Sequence, residues 1–288
     1  MTVIAMTREI GSRGSEVAAG VAAELGLEVI NSEIVVTDVA GSLGVTQSAV
    51  QRYLDGTASL FERWMIDTRK LSRHTSEQII RLAQRGNVLI RGWGAAVLFR
   101  DIPQVLSVRI CAPMAVREKI MMERLRTDDV EQIRSEIERF DTARASTLEA
   151  SFSISEGDTL LYHIVLNTGR IPIGTCVRAI CNLARDQPFQ DDAATQSGVA
   201  EKLLETKVRT VLVDSFGVET ATITVTAAGG TIILNGVTSD GSLPARVETV
   251  VRKVEGVRDV DNRIADVPPV SVRSSWSEPP IPNRGRRT

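Results

Sequence analysis

A chain of 288 residues is long enough for one sizeable core and a small second one, so two domains are expected. Its 43% hydrophobic and 24% charged residues are those of a globular protein. A net charge of −2 argues against a dedicated DNA coat or a polybasic membrane protein, while leaving room for a local basic patch. No secretory signal pattern is read at the start, and no apolar run is long enough to span a bilayer. Cys111, Cys176 and Cys181 fall in apolar strand or helix patterns and read as buried thiols of a reducing compartment. With His74 and His163 as the histidines, no metal site is expected, and the expected location is cytoplasmic.

In chain order, a short apolar strand at 3–6 runs into Thr7-Arg8-Glu9-Ile10-Gly11-Ser12-Arg13-Gly14-Ser15-Glu16 and then into an alanine-rich helix at 15–25. Strand, glycine loop and helix form the layout of a phosphate cradle. Glycines let the backbone turn so that N–H groups converge on an anion, and the helix start adds its positive dipole end. A working nucleotide loop reads G-x-x-x-x-G-K-[ST]. Aligned on Gly14, this chain has Glu9 at the first glycine, Ser15 at the lysine and Glu16 at the Ser/Thr. Arg8 and Arg13 flank the loop with forked donors suited to phosphate. The bland alternative is a plain strand-turn-helix corner.

Further strands are expected at 27–30, 88–90, 105–111 and 164–166, with helices at 33–43, 46–54, 60–84, 115–126, 130–148 and 174–185. Buried strands alternating with helical periods predict an α/β fold, a parallel sheet covered on both faces. After Arg185 the composition changes. Residues 186–198 are polar without apolar periodicity and read as a linker. A helix at 199–214, strands at 221–227 and 231–237, a helix at 244–253 and a strand near 257–265 make a small αββαβ unit over 199–266. Residues 267–288, rich in Pro, Ser and Arg, read as a disordered tail.

The loop sequence resembles the start of the cytidylate kinase-like family, which runs approximately S-R-E-F-G-S-G-G-R-E after its first strand. Gly86-Asn87-Val88-Leu89-Ile90-Arg91-Gly92-Trp93-Gly94-Ala95, Val108-Arg109-Ile110-Cys111-Ala112-Pro113 and Leu161-Tyr162-His163-Ile164-Val165-Leu166-Asn167-Thr168 follow in the family's order, over about residues 1–185. The resemblance implies a P-loop fold with a helical lid and transfer of the γ-phosphoryl of ATP, with Mg2+, to CMP or a related nucleotide. It assigns Gly11, Ser12, Arg13, Gly14 and Ser15 to the donor phosphates and Arg8 or Arg13 to the missing cation. Arg117 and Arg144 of the 115–148 helical pair match lid arginines that close on transferring phosphate, and Asp141 matches an acid that orients Arg144. Asn31, Glu33, Arg91 and Trp93 fall on the acceptor side.

The departures weigh against full chemistry. Ser15 replaces a basic residue, Arg91-Gly92-Trp93 stands for D-G-R, and Asn31-Ser32-Glu33 for D-R-E. Two alternatives therefore stand beside a kinase: a catalytically impaired nucleotide sensor, and a DNA-binding regulator. The latter would use a helix-turn-helix at 39–54 with Gln47, Ser48, Gln51 and Arg52. Its position inside the kinase-like unit and the acidic balance disfavour DNA. Trp93 is a ring able to stack a base or to fill the space beneath the sheet edge. The 199–266 unit resembles a BON domain, carried by Gly230-Thr231-Ile232-Ile233-Leu234-Asn235-Gly236-Val237 and Gly256-Val257-Arg258-Asp259-Val260-Asp261-Asn262-Arg263-Ile264. That resemblance implies membrane, lipid or small-ligand contact.

Overall fold

The computed structural model describes residues 1–31, 36–37, 39–41, 46–48, 50, 68–92, 94–152, 154–155, 157–190, 192–220 and 222–267. Glu33, Trp93, the tail 268–288 and most of the expected helices at 33–43 and 46–54 lie outside them. The structure opens with β1 (Val3–Arg8), α1 (Gly14–Leu25), β2 (Glu28–Ile30) and α2 (Thr68–Gln84). Then come β3 (Val88–Arg91), α3 (Ala95–Leu98), β4 (Leu106–Cys111), α4 (Met114–Leu125) and α5 (Val130–Phe152). β5 (Ile164–Asn167) and α6 (Ile173–Ala184) complete the first unit.

Strands β1–β5 form one parallel sheet in the order β2-β3-β1-β4-β5, with Met6 beside Arg91 and Val108. Period-two alternation explains how it is covered. Val3, Ala5, Val88 and Ile90 face Ile79, Ile80 and Ala83 of α2, while Ile4, Met6, Leu89 and Val108 face Val17, Val21, Val177 and Ile180 of α1 and α6. The expected α/β sheet with helices on both faces is what forms.

α7 (Asp192–Phe216) is longer than the sequence suggests. Residues 192–198, read as linker, are its first turns. The pattern hides them because the buried side chain there is a threonine, Thr195, and because Gly198 sits where a Cβ would lie 2.9 Å from Ile102 Cγ2. The Met1 ammonium pairs with Asp192 at the helix start. Val199 and Leu203 join the core cluster of the first unit, whereas Leu204, Val208 and Leu212 join that of the second. One helix thus lends buried residues to both cores.

The second unit adds β6 (Thr224–Ala228), β7 (Thr231–Thr238), α8 (Leu243–Val251) and β8 (Asp259–Asp266), in the sheet order β6-β7-β8. β6 pairs antiparallel and β8 parallel to β7. As an edge strand, β6 needs partners for its outward backbone groups. α7 supplies them: Arg209 Nη2 donates to Val225 O (3.2 Å), Ala227 N–H to Glu205 (3.1 Å) and Gly229 N–H to Glu201 (3.0 Å).

At the start of β5, His163 Nδ1 accepts from Ser107 N–H (3.0 Å) and lies 2.7 Å from Ser107 Oγ, with the ring edge-on to Phe189. A backbone N–H can only donate, so Nδ1 must be unprotonated. Burial also holds the imidazole below its usual value.

Leu203→Ala, which hollows a shared helix, is expected to cost about 2–3 kcal/mol. Calorimetry of fragments 1–185 and 192–266 is expected to show each unit melting below its transition in the intact chain; unchanged transitions would mean that α7 couples nothing. For His163, the unfolded chain takes up its proton more readily than the folded one. Stability is therefore complete above about pH 6.5 and declines as pH falls through that value. His163→Gln is expected to flatten the dependence of Tm on pH between about 5 and 7.

Candidate functional site

The loop between β1 and α1 extends the sheet by one bond, Glu9 N–H to Ile110 O (3.0 Å), and then turns sharply. Gly11 has φ +75°, and a Cβ there would stand 2.8 Å from Arg117 O of α4. Arg13 is also left-handed (φ 57°) and caps α1, with Glu16 and Val17 N–H bonded back to its carbonyl.

Four of the loop's carbonyls are consumed. Arg8 O accepts from Arg144 of α5, and Glu9 O from the N–H and hydroxyl of Ser12 (3.2 and 2.7 Å). Ile10 O accepts from Arg117 Nε (2.7 Å), and Ser12 O from Thr168 Oγ1 (2.7 Å), just past β5. The N–H groups of Gly11, Arg13, Gly14 and Ser15, by contrast, bond to nothing among the described residues. Successive unpaired N–H groups at a helix start form an anion nest.

The surrounding charges are paired within the protein. Arg117 is 5% exposed and binds both oxygens of Asp141 (2.8 and 2.9 Å), with Glu9 Oε2 3.8 Å away. Asp141 was read as orienting Arg144, its neighbour at i+3; both its oxygens go instead to Arg117. Glu9, at the first-glycine position, accepts from Arg109 Nη2 (3.0 Å) and Ala112 N–H (3.1 Å). Arg13 turns to Glu16, Nε to Oε1 at 2.9 Å, which raises the guanidinium and lowers the carboxyl through that hydrogen bond. Both side chains are about half exposed, so the pair adds little stability. Burial, followed by the Glu9 charge, pushes the Cys111 thiol up.

Ser12 is fully buried and serves the turn, whereas Ser15 is half-buried at the helix start. The stem of Arg8 crosses Gly14, whose added Cβ would meet Arg8 Cβ at 2.7 Å. Asn31 and Arg91 are half-buried at the ends of β2 and β3, and Gly92 N–H donates to Met6 O (2.9 Å), bringing Gly92 alongside the end of β1. Of the helix-turn-helix segment, Gln47 and Ser48 are exposed and Val39, Ala40 and Val50 are core. Sequence reasoning missed Glu9, Arg109 and Thr168 as members of this site. Glu9 alone carried a signal, as a carboxylate standing where the loop pattern asks for glycine.

A model of the cytidylate kinase-like family matches residues 3–170. This chain belongs to that family. A BON domain matches residues 200–265, the αββαβ unit built on the second half of α7. No curated protein matches the chain. Among solved structures, an uncharacterized protein from Eubacterium ventriosum is 20% identical over 63% of this chain and 97% of its own, with a TM-score of 0.51. Shikimate kinase from Acinetobacter baumannii is 14% identical over 64% and 92% (TM-score 0.37), and deoxyadenosine kinase from M. mycoides 10% over 64% and 99% (0.38). These are likenesses of fold. The first unit is therefore a cytidylate kinase-like P-loop sheet, followed by a BON domain.

Within this family member the loop is expected to tolerate no side chain at position 11. Gly11→Ala combines a positive φ with a clash against the α4 backbone, and is expected to cost roughly 1–3 kcal/mol. Thermal denaturation together with nucleotide titration checks it; retained binding at unchanged Tm would contradict the described turn.

Proposed function

We propose that the kinase-like domain holds the polyphosphate of a nucleoside triphosphate, ATP first by resemblance, on Gly11, Ser12, Arg13, Gly14 and Ser15. The observation that carries this reading is the loop itself, with four carbonyls bonded into the fold and the N–H groups of Gly11, Arg13, Gly14 and Ser15 unspent among the described residues. Backbone dipoles of this kind bind phosphate without a lysine. Phosphoryl transfer to CMP or a related acceptor is proposed to be slow, so that nucleotide occupancy is the main output.

Magnesium does not fit the described donor set. Glu9 accepts from Arg109 and Ala112, Glu16 pairs with Arg13, and Arg91 stands where the family pattern has an acid. No group of three or more potential metal ligands occurs among the described residues. Arg8 and Arg13 are the cations nearest the loop in sequence, and both are proposed for the donor phosphates.

Active transfer to CMP is the second reading, favoured by Arg91 at the end of β3, the strand next to β1, with Asn31 just past β2 one strand further out. Glu33 and Trp93 would belong to the same acceptor side. The BON domain is proposed to contribute membrane, lipid or small-ligand contact from a cytoplasmic location. No described helix is long and apolar enough to cross a membrane. DNA is not proposed as a partner.

Calorimetry with ATP, CTP and CMP, with and without magnesium, tests the proposal. A triphosphate is expected to bind in both conditions, with turnover near background. Ser15→Lys is expected to raise turnover by roughly tenfold or more, since one such donor is worth about 10²–10³ in rate. A folded sample that binds no nucleotide overturns both readings.

A further inference from the structure

The two arginines that the family pattern directs at phosphate are both bonded to the phosphate loop's backbone. Arg117 Nε donates to Ile10 O and Arg144 to Arg8 O, while the outer nitrogens of Arg117 are held by Asp141 of α5. Arg117 is buried, its carbonyl and Cα lie against Gly11, and a bidentate carboxylate fixes its plane. A guanidinium so held can leave its site only by stranding Asp141 beside Glu9 and orphaning a loop carbonyl. Either loss is costly in a half-buried setting.

We propose that Arg117, Arg144 and Asp141 are positioning residues that keep the loop in its anion-binding shape, and that phosphate is met by backbone N–H groups rather than by these guanidinium groups. This rests on the phosphate-binding reading of the loop. Each peptide unit that turns its carbonyl toward α4 or α5 directs the following N–H to the opposite side, because the two are antiparallel across a trans peptide. Fixing Arg8 O and Ile10 O therefore fixes the Glu9 and Gly11 N–H directions. Thr168 does the same for Ser12 O and the Arg13 N–H from the β5 side. Helix α5 is then part of the site without touching the ligand, and displacement of α5 alters phosphate affinity.

The two roles of Arg117 predict opposite signs. In full-length protein, Asp141→Asn removes the charge that holds Arg117. If Arg117 braces the loop, affinity for ATP and for inorganic tripolyphosphate, both without magnesium, falls by roughly three- to thirtyfold, and Asp141→Glu recovers part of it. If Arg117 contacts phosphate, Asp141→Asn releases it and affinity stays the same or rises, which overturns the proposal. A second measurement needs no variant to fold. In wild-type protein the Arg117 side-chain Nε–H resonance is expected to stay exchange-protected and nearly unshifted on saturation with tripolyphosphate, while the Gly11 and Arg13 amides move. A large shift of Nε–H with static amides overturns the proposal. Failure of wild type to bind either probe instead removes the phosphate-binding reading itself, so the two failures are distinguishable.

Discussion

A tight backbone turn at the end of a buried strand must find partners for its carbonyl oxygens, and between Arg8 and Ser12 those partners come chiefly from distant segments. Arg117, Arg144 and Thr168 reach in from α4, α5 and the chain after β5, and Glu9 O is satisfied locally, by Ser12. Buried backbone polar groups are seldom left unpaired, and these bonds decide which side of the loop faces the fold. The opposite side, with its N–H groups, is then available to an anion. Glu9, at the position where a general nucleotide loop has its first glycine, fits the same logic. Its carboxylate ties the turn to Arg109 and to the Ala112 N–H, adding an anchor where other loops have a flexible residue.

The same bonds set the electrostatic character of the site. Arg117 answers to Asp141, Arg109 to Glu9 and Arg13 to Glu16, so the site carries a dipolar rather than a strongly cationic field. Dipoles fixed by the backbone can hold an anion but supply less charge to a transition state than a mobile lysine or a metal ion. On these grounds the proposed function separates binding from turnover and makes occupancy its main output.

Long-range coupling has a material basis in α7. Its first half is core to the kinase-like sheet through Val199 and Leu203, and its second half carries the BON sheet through Leu204, Val208 and Leu212. The edge strand β6 depends on Glu201, Glu205 and Arg209 of that helix for its outward backbone groups. A rigid element shared by two cores leaves few ways for one unit to tilt without disturbing the other. Asp101, next to the core residue Ile102, adds a polar tie through Lys202 (3.1 Å).

The strands and most helices were legible because burial marks the sequence: short continuous apolar runs for β1, β3 and β4, which are covered on both faces, and a period near 3.6 for α1 and α6. The start of α7 was not, since Ala193, Ala194, Thr195 and Gly198 carry little hydrophobic signal although Thr195 is fully buried. Side-chain partnership was less legible still. Helical spacing offered Arg144 as the partner of Asp141, whereas the bond that forms joins Asp141 to Arg117 on another helix. Spacing reports which residues share a face, and a guanidinium on a flexible stem chooses among every acid and carbonyl that tertiary folding brings within reach. A pattern can therefore preserve an arginine without saying which acceptor it meets. Glu9 is one such acceptor, a residue this chain shares with the family pattern. Its carboxylate, beside Arg117 and Arg109, turns charge toward the loop's own support, and the dipolar chemistry of the site follows from those pairings.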